Sequence, residues 1–477
     1  MKSFICILIV FFSFKITQLN AQNYIDTAFA IQTDFDVNFD TIVDFAGQSS
    51  IQAMDISYPT NDSPPTCGRP LLVVVHGGAW IAGDKSENNV SRIRTDFAKR
   101  GYTTASVNYR LGQFHSSTPQ NCNIQIFGLE WNCLNMGDTS EWYRAYYRGI
   151  QDVNSAIRYL VNHASSYQID VNQIFIVGES AGGFIAMGVA FIDNMNEVSQ
   201  VQTGAKIDIA APHSMYESAC IQGYGIAPSI ATMDLSRPAL GNYDVGGNPL
   251  GQNTFRIIGV GNIFGGVFND IFTTSSGTPP SLYLFHQPND LIVPFNSGKV
   301  FKDYNNCLQN APFNCGNIVN RPVIYGSNSI KQMIDNLATQ GQTVPDYVTD
   351  FTSNTSPCSV QPGQGHAYDN FWLRTANMAS YFATKIGPCT MGFEQGINDF
   401  PFHMFPNPIA NDQVKIQGDF SSVQKVKLLN MNGSVMQEIN TFEKNQLLIQ
   451  TSNLTKGVYL VQIISENKTY RSKLVKQ

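Results

Sequence analysis

The chain has 477 residues, a length that suits two or three domains rather than one. Apolar residues make up 43% and charged residues 14%, enough for a large core and too little charge for a disordered or coiled-coil protein. The net charge of −6 excludes nucleic-acid binding through phosphate neutralisation, and it is unevenly placed: residues 403–477 hold nine Lys or Arg against five Asp or Glu, so a basic tail follows an acidic body.

Met1-Lys2-Ser3 is a short basic lead, Phe4 to Phe14 is almost wholly apolar, and Leu19-Asn20-Ala21 ends in a small residue. This reads as a secretory signal peptide cut near Ala21. The alternative is a membrane anchor or a buried strand, but the apolar run is shorter than the ~20 residues a spanning helix needs. No later stretch is long and apolar enough to span a bilayer, so the mature chain is expected to carry no transmembrane segment. Eight cysteines follow the leader: Cys67, Cys122, Cys133, Cys220, Cys307, Cys315, Cys358 and Cys389. An even number in an exported chain favours disulfides. Cys122 with Cys133, Cys307 with Cys315, and Cys358 with Cys389 are natural pairs, although connectivity stays open and buried thiols are the alternative.

From about residue 70 the pattern alternates. Leu71–Val75 is an apolar run, as for a strand buried on both faces. Helical spacing over Asn88–Arg100 is followed by a β-rich Thr103–Val107. A long helix is expected over Glu141–Asn162, a strand over Gln173–Val177 and a helix over Ala181–Phe191. Strands at Lys206–Ala210 and Ser281–Phe285 and a closing helix at Asn370–Lys385 complete the series. Such alternation implies a mostly parallel sheet with helices on both faces. Residues 112–140 and 212–280 break the rhythm and read as insertions over one end of the sheet, either shaping a pocket or merely solvated.

Beyond a proline-punctuated junction (Pro401, Pro406, Pro408) come short alternating runs at Gln413–Ile416, Lys425–Leu429, Leu447–Ile449 and Val458–Ile464. Turns such as Asn432-Gly433 and Lys456-Gly457 separate them. They predict a small all-β sandwich. The expected organisation is a leader over 1–21, a catalytic domain over 22–389, a linker over 390–402 and a C-terminal domain over 403–477.

Gly178-Glu179-Ser180-Ala181-Gly182-Gly183 follows the strand Gln173–Val177 and opens a helix. That is the context of a nucleophile elbow: a sharp strand-to-helix turn presents a serine, small neighbours avoid clashes, and the helix N-terminus offers N–H groups to a developing oxyanion. A serine needs a base. Among the seven histidines, His366 lies downstream in a Gly-flanked loop just before the last predicted helix. His286 ends its strand and His403 falls in the tail junction. The orienting acid is expected on a loop after a late strand, where Asp290 stands; Asp303 and Asp270 are the alternatives. His76-Gly77-Gly78-Ala79-Trp80 follows the strand Leu71–Val75, and its glycines, with the Ala181 N–H, suit an oxyanion hole. His76 is expected to brace this loop.

HGGAW, GESAGG, HQPNDLIVP and GQGHAYD together resemble the α/β-hydrolase superfamily, closest to secreted carboxylesterases and lipases of the hormone-sensitive-lipase-like type. Asn108-Tyr109-Arg110-Leu111 and Asp152 also fit. The resemblance covers roughly residues 45–388. It implies the α/β-hydrolase fold, a Ser180–Asp290–His366 triad, oxyanion donors at Gly77, Gly78 and Ala181, an acyl-enzyme route, and no metal or organic cofactor. Two departures stand out. The glycine run is HGGA rather than HGGG, and the stretch from Asp290 to His366 is long enough to suggest an inserted segment around 303–360.

The tail resembles the C-terminal sorting domain of the type IX secretion system, through Phe405-Pro406-Asn407-Pro408, Asn430-Met431-Asn432-Gly433, Leu454-Thr455-Lys456-Gly457-Val458-Tyr459 and the basic end Arg471–Lys476. It implies passage through the periplasm to the outside or the cell surface, with the secretion machinery as partner. A carbohydrate-binding sandwich is the alternative for this domain. For the whole chain the leading expectation is an esterase acting on an ester substrate, polymeric or lipid. A serine peptidase of the same fold and a non-catalytic binding or adhesion protein are the alternatives.

Overall fold

A computed structural model describes residues 24–60, 62, 64–116, 125–126, 129–130, 139–192, 216–220, 238–251, 253–272, 277–303, 322–353, 365–387, 402–409, 412–430, 434–465 and 469–476. The leader, the strand expected at Lys206–Ala210 and the linker 390–401 lie outside the described residues. The chain separates into two units at Gly387/Pro388.

The first unit is organised by eight strands: β1 (Ala30–Val43), β2 (Ser49–Thr60), β3 (Arg69–Val75), β4 (Thr103–Val107), β5 (Ile169–Glu179), β6 (Ile257–Ile263), β7 (Ser281–His286) and β8 (Tyr347–Phe351). They form one sheet in the order β1-β2-β4-β3-β5-β6-β7-β8. The pairs from β4 through β8 are parallel, whereas β1–β2 and β2–β4 are antiparallel. The principal helices are α1 (Asn88–Lys99), α2 (Thr139–Asn162), α3 (Ala181–Phe191), α4 (Ser327–Thr339) and α5 (Phe371–Ala383).

The continuous apolar run of β3 follows from burial on both sides. Leu71, Val73 and Val75 face a core shared with Ile150, Ile157 and Ile185 of α2 and α3. Leu72 and Val74 face a second core shared with Val90, Ile93 and Phe97 of α1 and Met378 and Phe382 of α5. Period-two alternation thus delivers apolar residues to both layers at once. Among the described residues no helix is long and apolar enough to cross a membrane. Cys67, just ahead of β3, is disulfide-bonded; the side chains of the other seven cysteines after the leader lie outside the described residues.

Two expectations are corrected. Residues 212–280 are not simply an insertion, because β6 runs through the middle of the sheet between β5 and β7. Its glycines hid it: a Cβ on Gly259 would stand 2.5 Å from Phe175, and one on Gly261 2.7 Å from Val177, so large side chains on β5 exclude them on β6. Ahead of β6, residues 238–249 form a strap along α2. Arg144, Tyr147, Gln151, Arg158 and Asn162, spaced along one helix face, donate to the carbonyls of Pro238, Gly241, Leu240 and Asn242, Asn248 and Val245, and Pro249. Those bonds satisfy backbone that no ladder serves. The segment between Asp290 and His366 is likewise not an addition to the sheet but part of it, since it supplies α4 and the edge strand β8. Residues 304–321 of that stretch lie outside the described residues.

The second unit has two antiparallel sheets. One joins His403–Phe405, Gln413–Gln417 and Gln446–Gln450; the other joins Val435–Ile439, Val423–Asn430, Gly457–Ser465 and Thr469–Lys476. Alternate residues, including Val414, Ile416, Val426, Leu428, Ile449, Val461 and Ile463, meet in a core of their own with Phe402 and Phe420.

Candidate active site

Strand β5 ends at Glu179 and helix α3 begins at Ala181, so Ser180 alone makes the turn. It does so at φ 53° and ψ −120°, a conformation L-residues seldom hold. The turn closes because its neighbours are small. A Cβ on Gly178 would sit 2.0 Å from Gly182 O, and one on Gly182 2.3 Å from Val75 O. The Ser180 N–H donates to Ile263 O of β6 at 2.9 Å, which pins the turn to the sheet.

Ser180 Oγ lies 2.8 Å from His366 Nε2, and His366 Nδ1 lies 2.7 Å from Asp290 Oδ2. An ionised carboxylate only accepts, so Nδ1 carries the ring proton and Nε2 accepts from the serine hydroxyl. The Asp290 side chain is fully buried in the loop after β7, while His366 keeps 11% of its side-chain surface exposed. Oδ1 of Asp290 accepts the N–H groups of Ile292 and Val293 at 2.8 and 3.0 Å. Burial works to raise the Asp290 carboxyl, but the His366 charge and the hydrogen bonds from His286 and His366 outweigh it and hold the group below its ordinary range. The His366 loop can lie against the Asp290 loop because Gly365 has no side chain: a Cβ there would meet Asn289 O at 2.3 Å. Gln287 Nε2 donates to Ala367 O at 2.8 Å across the same seam.

The loop after β3 comes up against the serine, with Gly77 so close that a Cβ would touch Ser180 Cβ at 3.1 Å. Gly78, Ala79 and Trp80 all take positive φ, at 100°, 52° and 59°. His76 is buried beneath them, its Nδ1 2.8 Å from Gly77 O and its ring stacked on Tyr109 at 4.3 Å. Tyr109 Oη donates to the carbonyls of His76 and Gly77 at 3.2 and 3.0 Å. Burial pushes the His76 imidazole down to about 4, so it is neutral near pH 7. On the other side, the Ala181 and Gly182 amides precede the first amide of α3 that bonds back to the turn, donated by Gly183 to Ser180 O. Elsewhere in the unit Arg110 and Asp152 form a buried ion pair at 2.8 Å, which anchors the segment after β4 to α2.

A cavity of about 290 Å³ opens at Ser180. Its lining includes the apolar Ala82, Phe264, Ile292 and Phe301 and two carboxyl groups, Glu87 and Glu179. Burial drives the Glu179 carboxyl up to about 7 even though Tyr368 Oη donates to it at 2.7 Å. Glu87 is raised too, by burial and then by Asp84. Among the described residues no cluster of three or more His, Cys, Asp or Glu is placed to hold a metal ion.

The structure therefore brings Ser180, Asp290, His366, Gly77, Gly78 and Ala181 to one place. Asp270, 20 residues before Asp290, instead accepts the N–H of Phe272 in its own turn. Three further residues join the site: Glu179 and Tyr368, which bond to each other, and His286, which as the end of its strand does not serve as the base. The last was visible as a His four residues ahead of the acid, in His286-Gln287-Pro288-Asn289-Asp290.

Residues 54–126 and 140–304 match the BD-FAE family, and residues 403–477 match the secretion system C-terminal sorting domain. Over 140 residues the chain is 26% identical to a probable isoprenylcysteine alpha-carbonyl methylesterase of Arabidopsis thaliana, covering 29% of this chain and 22% of that protein. Over 132 residues it is 27% identical to carboxylesterase 3 of Homo sapiens, covering 28% of this chain and 19% of that one. The chain thus spans about a fifth of the length of these curated relatives. Esterase B of Lactobacillus rhamnosis superposes with a TM-score of 0.37 at 13% identity, covering 76% of this chain and 90% of that one.

Proposed function

Because the chain belongs to the BD-FAE family of α/β-hydrolase esterases and ends in a type IX secretion sorting domain, we propose that it is an exported serine carboxylic-ester hydrolase working through Ser180, His366 and Asp290. The observation that carries this reading is the unbroken line from Ser180 Oγ through His366 to Asp290 Oδ2, at 2.8 and 2.7 Å, with Ser180 and His366 lining a cavity. His366 takes the Ser180 proton as Oγ attacks the ester carbonyl carbon. The Gly77, Gly78 and Ala181 amides receive the oxyanion, and His366 returns the proton to the departing alcohol. Water then attacks the acyl-enzyme with the same imidazole as base. Asp290 keeps its charge and holds the imidazolium.

The domain reading is a catalytic unit over 22–389 and a sorting domain over 403–477, joined by 390–402. The leader would deliver the chain to the periplasm and the tail to the secretion machinery, so the substrate is an ester met outside the cell. The likeness to hormone-sensitive-lipase-like esterases rests on HGGAW, GESAGG, HQPNDLIVP and GQGHAYD, with Asn108–Leu111 and Asp152 beside them. Turnover of p-nitrophenyl acetate and butyrate tests the reading. The mature protein hydrolyses them, leaves peptide anilides intact, and loses activity on Ser180→Ala. Hydrolysis of anilides in preference to esters, or full activity in that variant, refutes it.

A further inference from the structure

The carboxylate of Asp290 serves two imidazoles. Its Oδ2 lies 2.7 Å from His366 Nδ1 and 3.0 Å from His286 Nε2. His286, the last residue of β7, is fully buried with its side chain at 0% exposure. Each ring nitrogen has a partner of defined sense. Nε2 faces two acceptors, Asp290 Oδ2 and Val293 O at 3.1 Å, so it carries the proton. Nδ1 must then accept, and Ser327 Oγ, the first residue of α4, stands 3.0 Å away. Ser327 Oγ in turn accepts from Asn262 Nδ2 of β6 at 3.3 Å. A directed chain thus runs from Asn262 to Ser327 to His286 to Asp290 and ends at His366. It draws on β6, α4 and β7, three rigid elements, whereas His366 itself sits on a loop.

We propose that His286 is a positioning residue of the hydrolytic machinery, acting through Asp290: it aims Oδ2 at His366 and draws off part of that oxygen's charge. The inference rests on the ester-hydrolase reading above. Without His286, Oδ2 would be aimed only through Oδ1, whose two amide bonds fix one end of the carboxylate and leave rotation about it. The oxygen would also hold the imidazolium proton of His366 more strongly. Two consequences follow: a slower chemical step, and activity that switches on at higher pH. Among the described residues, the carboxyl groups of Glu179 and Glu87 line the same cavity as His366, and Glu179 feels the His366 ring electrostatically. Both stay in place in every variant below, so a difference between profiles belongs to the Asp290 pair.

The test compares His286→Leu, His286→Gln and Ser327→Ala with the wild type. Leucine removes the donor and keeps the volume. Glutamine returns an N–H to the Nε2 position. Removing a hydrogen bond to a charged, buried acceptor lowers kcat by about tenfold to a hundredfold, with KM moving by less than about threefold. The acid limb of kcat/KM moves to higher pH, and the low-field ring proton shared by His366 and Asp290 shifts in the NMR spectrum. Glutamine restores most of the rate and the wild-type limb. Ser327→Ala moves all readouts in the same direction by less, about threefold to tenfold in kcat. A folded His286→Leu protein with wild-type kcat, acid limb and ring-proton resonance overturns the proposal, as does a glutamine variant as impaired as the leucine one, since the ring would then only fill space. If His286→Leu does not fold, an unchanged limb and resonance in Ser327→Ala overturns it. Should the wild type hydrolyse no ester, the function reading falls on that result alone, and the ring-proton comparison still decides the role of His286.

Discussion

Glu179 stands next to the serine in a buried position, and its carboxyl is raised from 4.5 to about 7, chiefly by burial. The perturbation is Glu179→Gln, which keeps an oxygen to accept the Tyr368 hydroxyl and removes the ionisation. Below the unfolded value near 4.5 the folded and unfolded chains are both protonated at this site, and nothing is lost. Between there and about 7 the unfolded chain releases its proton while the folded one keeps it, so stability falls as pH rises through that window. Above it the folded protein bears the whole cost of a buried carboxylate, about 3 kcal/mol at 1.36 kcal/mol per pKa unit. The amide carries no such cost. Urea unfolding of wild type and variant at about pH 4 and about pH 8 should give similar stabilities at the lower pH and a variant more stable by about 3 kcal/mol at the higher. Glu87, whose charge adds to the rise of Glu179, remains in both proteins. Parallel stability–pH curves for the two proteins would mean instead that Glu179 titrates alike in the folded and unfolded chains.

Other consequences can be checked separately. Gly178→Ala forces a Cβ into Gly182 O at 2.0 Å and should destabilise the fold by about 2 kcal/mol or more and lower kcat through the displaced serine, as read by chemical unfolding and ester turnover. Tyr109→Phe removes the hydroxyl that holds the His76 and Gly77 carbonyls; kcat should fall about tenfold with KM little changed, because the loop presenting the oxyanion donors loses its brace. Deleting residues 403–477 should leave kcat and KM toward p-nitrophenyl butyrate unchanged, since that unit has its own core, while export from the cell is lost.

The parts of the fold legible in the sequence were those where one physical demand acted alone. Strands β3, β5 and β7 showed as unbroken apolar runs because helices cover both faces, and Thr103–Val107 and Ala181–Phe191 coincide with the observed elements. Strand β1 was missed because its residues alternate between half-buried and exposed, with Asp34, Asp36 and Asp40 scattered along it. It is an edge strand, and the pattern that would mark it is diluted by solvent. Strand β6 was hidden by Gly259 and Gly261, which answer to side chains on β5 and α5 that no local window contains.

The site divides in the same way. Ser180 was legible because a strained turn needs local glycines, and Asp290 and His366 because chain order limits where they can stand. Glu179 to Tyr368 and His286 to Ser327 join residues 189 and 41 positions apart. Partnerships of that kind exist only once the sheet has brought its strand ends together.

An activated Ser180 hydroxyl should react covalently with an electrophilic phosphorus reagent. Incubation of the mature protein with a fluorophosphonate probe, followed by digestion and peptide mass mapping, should place one adduct on the peptide containing Ser180, and Ser180→Ala or His366→Ala should abolish it. No adduct under conditions where the folded protein is intact, or an adduct on another residue that persists in Ser180→Ala, would mean that Ser180 is not the nucleophile.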